Sequence, residues 1–221
     1  MDDLTLLIPA KQESESLPKV LDELKEHNLK INIVLNKDDS KTIDSIKNYN
    51  VNILYQTGKG YGDALIHGIN TCTTSYFCIF NADGSFNPLE IKEMLKKLNN
   101  DHLDFVFASR YKNNGGSEDD TIITLIGNYI FSMIGKIFFK LNISDILYTF
   151  VIGKTEKAKL LKLAYKDFAF CVELPIKAKN FNFKLEDFPS RERKRIAGKK
   201  KVNAFLDGLK ILISMIKLYF K

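Results

Sequence analysis

Through the first half of the chain, short apolar runs alternate with longer stretches whose apolar positions recur every three or four residues. "LTLLIPA" (4–10), "INIVLN" (31–36), "VNILYQ" (51–56), "SYFCIFNAD" (75–83) and "LDFVFASR" (103–110) read as strands. Between them, "ESLPKVLDELKEHN", "KTIDSIKNYN", "YGDALIHGINTC" and "NPLEIKEMLKKLNN" read as helices. The first carries Leu17, Val20, Leu21 and Leu24 on one face, and the last has Pro88 near its start. Strand–helix alternation at this spacing predicts an α/β domain, a mostly parallel sheet covered on both faces.

After Arg110 the pattern changes. "YKNNGGSEDD" reads as a polar loop. "TIITLIGNYIFSMIGKIFFKLN" (121–142) predicts a long apolar helix whose polar positions, Asn128, Ser132, Lys136 and Lys140, fall four apart. The C-terminal stretch 203–221 repeats the scheme, with Asp207, Lys210, Ser214, Lys217 and Lys221 spaced by three or four. Charges interrupt each apolar run before about 18 residues, so neither reads as a clean transmembrane span. Both fit helices lying at an interface or on a partner, with lysines at the wet edge. The sequence divides into a domain over 1–202 and a C-terminal amphipathic helix over 203–221.

Charge sharpens this picture. The net charge of +6 is local: "RERKRIAGKKK" (191–201) holds seven bases and one acid, and the remainder is neutral overall. Such a segment attracts phosphates on a nucleotide, a lipid headgroup or a nucleic acid. Cys72, Cys78 and Cys171 lack metal-type spacing and read as buried thiols, which suits a reducing cytoplasm. "MDDLTLLIPAKQE" turns polar within ten residues, so no signal peptide is read. His27, His67 and His102 show no pairing and receive no role.

Ligands of open α/β sheets bind beyond the carboxyl ends of strands. Glu13, Asp38, Asp39, Asp83 and Arg110 all fall at or just after predicted strand ends. "IPAKQESESLP", "GKGYGDALIHGI", "NADGSFNP", "FASRY", "SDILYTF" and "RERKRIAGKKKV" follow one another in that order. In this order they resemble a family 2 glycosyltransferase of the GT-A fold, nearest the polyprenyl- or dolichyl-phosphate sugar transferase branch. The resemblance spans roughly residues 4 to 202.

The resemblance implies a donor site and a divalent cation, Mg²⁺ or Mn²⁺. A hard cation on carboxylate oxygens neutralises a departing diphosphate as a Lewis acid. The family's Asp-x-Asp is here Asn81-Ala82-Asp83: Asp83 takes the metal role, Asn81 and Ala82 the donor contact, and Ser85 the place of a further ligand. Pro9, Ala10 and Glu13 correspond to the nucleobase segment, with Gln12 replacing the usual Asn. Asp38 or Asp39 is the candidate base contact. The glycine turn "GKGYGD" opens a helix whose N–H groups favour an anion, with Lys59 beside it. Arg110 corresponds to a sugar or phosphate contact. Arg195, Gly198 and Lys201 match a basic lid, with Lys200 replacing a serine; Arg191, Arg193, Lys194 and Lys199 would then point outward. Asp145 opens a segment in which Tyr148-Thr149 replaces the family's Ser-Gly. Asp145 or Glu173 is the candidate general base for an acceptor hydroxyl. A lipid-phosphate acceptor is already anionic and needs neither.

The implied activity is inverting transfer of a sugar from a GDP- or UDP-sugar to a polyprenyl phosphate or glycan. That is a step of polysaccharide or glycolipid biosynthesis, cytoplasmic or peripheral at the inner face of the membrane. The apolar helices offer a surface for an anionic membrane or for homo-oligomers, and no nucleic-acid partner is expected. Two other readings stand beside this one. A sugar-phosphate nucleotidyltransferase would want a glycine-rich basic loop after the first strand, where "AKQESES" is acidic and glycine-free. A non-catalytic basic membrane-binding module would leave the strand-end carboxylates idle.

Overall fold

The computed structural model describes residues 3–198, 201 and 203–220. The expectations for Lys199 and Lys200 lie outside the described residues. In chain order the elements begin β1 (Leu4–Pro9), α1 (Leu17–Leu24), β2 (Lys30–Leu35), α2 (Ser40–Ile46), β3 (Asn52–Tyr55), α3 (Tyr61–Thr71), β4 (Tyr76–Ile79), α4 (Leu89–Asn100) and β5 (Phe105–Ser109). They continue with β6 (Gly116–Ser117), α5 (Ile122–Phe139), β7 (Val151–Lys154), α6 (Thr155–Leu160), α7 (Phe170–Asn180), β8 (Leu185–Pro189), β9 (Arg191–Glu192) and α8 (Ala204–Tyr219).

Seven strands form one sheet in the order β3-β2-β1-β4-β7-β5-β8, parallel except for β7. The α/β, GT-A-like reading of the sequence holds. Strands β7 and β8 are additions to it: β7 pairs antiparallel with both β4 and β5 and so separates them. Alternate residues of β1 supply the two cores. Leu4, Leu6 and Ile8 join Leu17, Leu21, Ile91 and Met94 on one side. Leu7 meets Leu65, Ile69, Val172 and Ile176 on the other. Chain order places β2 and β3 on one flank of β1 and β4 on the other. Sheets of this kind take ligands at such a switch, beyond the carboxyl ends of the strands, here those of β1 and β4.

The polar loop carries structure of its own. Its β6 pairs with β9, the start of the basic segment, through Gly116↔Arg191 and Ser117↔Glu192. Helices α5 and α8 follow these two strands, and a capping box at Thr121 opens α5. They run side by side in the same sense: Phe131 lies beside Gly208, and the rings of Phe138 and Phe139 lie 5.9 and 6.0 Å from Tyr219.

The polar stripe of α5 divides along its length. Lys136 and Lys140 are exposed, at the wet edge expected of them, while Asn128 and Ser132 turn inward to hydrogen-bond partners in the neighbouring chain. Asn128 donates to Tyr111 Oη at 2.8 Å, and Ser132 Oγ accepts from Ile146 N at 3.2 Å. The apolar side faces outward: Ile122 is 76% and Phe205 of α8 80% exposed, with Ile126, Tyr129, Ile137, Leu209 and Ile216 also open. The expected interruption of the apolar run is also corrected. Helix α5 holds 18 residues with Lys136 as its one charge, so by length and composition alone it could cross a membrane. On its inner side, α8 buries Ile211, Met215 and Leu218 in the second core.

Candidate active site

The turn after β4 is built around Asp83. Ser85 donates to its Oδ1 from N at 3.0 Å and from Oγ at 2.8 Å, which leaves Oδ2 toward Arg195 Nη1 at 3.5 Å. Ser85 is buried, and its two bonds orient the Asp83 carboxylate. Ala82 is buried, and Asn81 makes two long contacts of 3.5 Å, from Tyr61 Oη to its Oδ1 and from its Nδ2 to Ser85 Oγ. Gly84 is required for two reasons. Its φ is +81°, and a Cβ there would lie 2.4 Å from Ile196 Cδ1.

The basic segment crosses this turn. Arg193 N donates to Ser85 O at 2.8 Å and Ile196 N to Asp83 O at 2.7 Å, while the Ile196 side chain packs on the first core. Arg195 bridges Asp83 and Asp119, reaching the latter at 3.1 Å. Burial alone would lower the Arg195 pKa, but Asp119 and Asp83 hold it above the ordinary arginine value. Its Nε is buried without a hydrogen-bond partner. Lys201 reaches Glu13. Arg193, expected outward, pairs with Glu23 at 2.8 Å and donates to Phe86 O.

At the end of β1, Pro9 is half-buried, Ala10 is buried with its N–H on Val34 O, and Glu13 accepts from Ser16 Oγ at 2.6 Å. Asp39 caps α2 and accepts from Gln12 N at 2.6 Å, tying the loops after β1 and β2 together. Asp38 and Lys59 are exposed. The glycine turn packs closely on the loop ahead of α7. A Cβ on Gly60 or Gly62 would lie 2.2 Å from the carbonyl oxygen of Lys166 or Tyr165, and Asp63 N already donates to Lys166 O at 3.0 Å.

Arg110, expected at the substrate, is buried in an acidic nest. It donates to Asp145 Oδ2 from Nε at 2.7 Å and to Oδ1 from Nη2 at 3.0 Å. Its Nη1 meets Glu192 at 3.2 Å and Asp120 at 3.4 Å, and the guanidinium lies 4.6 Å over the Tyr148 ring. Burial pushes Glu192 above the usual carboxylate range although Arg110 pulls it down. Asp145 is 1% exposed, with both oxygens committed. Glu173 is 1% exposed and accepts from Ala164 N and Tyr165 N at 2.9 and 2.8 Å, with Lys177 at 2.7 Å. The general-base assignments of both are therefore corrected: neither offers an oxygen to an acceptor hydroxyl.

Sequence reasoning passed over Tyr61, Ile196, Asp119 and Glu192, and gave Thr149 no role. Glu192 is the one acid in a run of bases, and Asp119 ends an acidic loop. Those are the only signals they give; Tyr61 and Ile196 look like ordinary apolar positions.

The sheet order, the strand-end carboxylate and the basic strap across its turn fit a GT-A architecture. Residues 5–161 match Glycosyl transferase family 2, so the chain belongs to that family and is a glycosyltransferase. An uncharacterized protein of Methanocaldococcus jannaschii is 25% identical, covering 97% of this chain and 91% of its own length. Glucosyl-3-phosphoglycerate synthase from Mycobacterium tuberculosis, solved with Mn²⁺, UDP and phosphoglyceric acid, superposes with a TM-score of 0.70 at 11% identity, over 98% of this chain and 78% of that one. Mannosyl-3-phosphoglycerate synthase from Rubrobacter xylanophilus gives 0.70 at 14% identity, over 97% and 72%.

Proposed function

We propose that the chain is an inverting transferase, dependent on Mg²⁺ or Mn²⁺, that moves a sugar from a UDP- or GDP-sugar to a polyprenyl phosphate at an anionic membrane surface. The observation that carries this reading is the strap: Arg195 meets Asp83 while its buried Nε stays unpartnered, a donor left for a phosphate oxygen. Among the described residues no three His, Cys, Asp or Glu side chains converge to cage a metal. One carboxylate completed by phosphate and water oxygens is a usual way to hold Mg²⁺. Asp83 would hold the ion through Oδ2, and the bound ion supplies Lewis acidity to the departing diphosphate. Arg195 and Lys201 would neutralise the same leaving group. The acceptor oxygen bonds to the anomeric carbon from the opposite face, and the electron pair of the broken bond leaves on the diphosphate.

The choice of a phosphate acceptor is supported by the saturation of Asp145 and Glu173, since an anionic nucleophile needs no base. A membrane position is supported by the open apolar faces of α5 and α8, which carry exposed Lys136, Lys140, Lys210 and Lys217 and begin beside the strap. A second reading, a small acceptor such as phosphoglycerate, draws on the enzymes of the same fold.

The test combines thermal shift with UDP and GDP, with and without Mn²⁺, and a transfer assay offering polyprenyl phosphate in anionic liposomes against 3-phosphoglycerate. One diphosphate should stabilise strongly with Mn²⁺, Asp83→Ala should remove the metal dependence, and label should enter the lipid. An unchanged shift in Asp83→Ala sinks the site. Label only in phosphoglycerate, or a dimer that ignores liposomes, sinks the membrane acceptor.

A further inference from the structure

We propose that Tyr61 is a positioning residue for Asp83, acting through a one-way hydrogen-bond chain that runs from Thr149 through Tyr61, Asn81 and Ser85. The contacts are Thr149 Oγ1 to Tyr61 Oη at 2.6 Å, Tyr61 Oη to Asn81 Oδ1 at 3.5 Å, Asn81 Nδ2 to Ser85 Oγ at 3.5 Å, and Ser85 Oγ to Asp83 Oδ1 at 2.8 Å. Their direction follows from the Asp83 end. A carboxylate only accepts, so the single proton of Ser85 is spent on Asp83. Ser85 must then accept from the amide of Asn81. That turns Oδ1 toward Tyr61, which must donate and so accepts from Thr149. The two 3.5 Å links are long, so they orient more than they stabilise.

The anchor of the chain is well built. The Tyr61 ring stacks on Phe168 at 5.3 Å, and burial raises its pKa, keeping the phenol a donor. Glu173 holds the segment carrying Phe168 through Ala164 N and Tyr165 N. Gly60 and Gly62 let that segment close on the start of α3. The role of Glu173 is thus to seat Tyr61.

The chain also accounts for the neutral residue at 81. An Asp there has no proton for Ser85, so two carboxylates would contest one hydroxyl and Asp83 Oδ1 would be left with the Ser85 backbone N–H alone. With Asn81 the array delivers Oδ2 of Asp83 outward, toward Arg195.

This inference rests on the metal role proposed for Asp83, and its test separates the two. Tyr61→Phe keeps the stacked ring and removes only the hydroxyl; Thr149→Val is the second variant. By NMR, the Asn81 side-chain amide resonances should shift in both variants without any ligand. By Mn²⁺ electron paramagnetic resonance with UDP or GDP, both variants should weaken metal–nucleotide binding about threefold to tenfold, the loss of one hydrogen bond. Their melting temperatures should stay within about 2 °C of the parent, a loss of no more than the fold-change above implies for a chain of this size. Unmoved amide resonances overturn the chain whatever binds. Moved resonances with parental Mn²⁺–nucleotide affinity overturn the positioning role alone. A parent that binds neither nucleotide with Mn²⁺ overturns the proposed metal site as well.

Discussion

Asp145→Asn separates a structural from a catalytic use of the most buried carboxylate near the site. In the parent, Asp145 accepts from Arg110 N, Nε and Nη2 at 3.2, 2.7 and 3.0 Å, and the pair is almost sealed from solvent. Removing one partner of such a pair costs about 3–5 kcal/mol, because the remaining charge is buried without compensation. Arg110 keeps Glu192 and Asp120 at 3.2 and 3.4 Å, which places the expected loss at the low end, about 3 kcal/mol. For a chain of this length about 1 kcal/mol moves the melting temperature by roughly 2–4 °C, so calorimetry should record a drop of about 6–12 °C. A general base predicts the opposite: near-parental stability and a kcat lowered roughly a hundredfold or more. The companion measurement is a double-mutant cycle with Arg110→Met, where strong coupling identifies the pair as one unit. A variant melting within about 2 °C of the parent, with kcat down a hundredfold, would refute the structural reading, since no buried pair of this geometry loses its charge at so small a cost.

Two further outcomes concern the shell around the strap. Burial raises the Glu90 pKa above its ordinary 4.5, ahead of the lowering bonds from Ser190 Oγ and Arg191 N. The folded form therefore keeps a proton that the unfolded chain releases, and stability falls as pH rises through the folded pKa. Because Gln cannot ionise, Glu90→Gln should gain on the parent in urea melts between about pH 4.5 and pH 7; parallel pH curves would contradict this. Gly84→Ala forces φ of +81° on an L-residue and drives a methyl toward Ile196, so it should lose about 1–2 kcal/mol and expose the strap to limited proteolysis. Parental stability and cleavage would show that the strap does not sit there.

What the sequence made legible, and what it hid, divides along physical lines. Strand–helix alternation up to Arg110 is a local signal, and β1 through β5 each fall where it predicts a strand, with β4 and β5 shorter than read. Strand β7 was invisible because its four residues become a strand only between β4 and β5, a tertiary circumstance. The apolar helices were legible as helices with open apolar faces, but not in which of their polar positions turn inward. A stripe at every fourth position has the same period whether it faces water or, as Asn128 and Ser132 do, the unpaired groups of a neighbouring loop. Glycines 60 and 62 announced a close approach without saying to what, and the answer is the carbonyl groups of Lys166 and Tyr165. Carboxylates were given roles poorly, since an acid looks the same in sequence whatever holds it. Asp145 is taken up by Arg110 and Glu173 by Lys177 and two backbone N–H groups, while among the described residues Oδ2 of Asp83 has only Arg195 at 3.5 Å. The strap bears on the non-catalytic alternative in the same way. A patch meant only for a membrane would turn its arginines outward, whereas Arg195 points at Asp83 and Arg193 lies on the turn that carries it. Read singly, Asn81 and Thr149 look like losses from a family pattern; in the fold both meet the hydroxyl of Tyr61, so the second change is what makes the first workable.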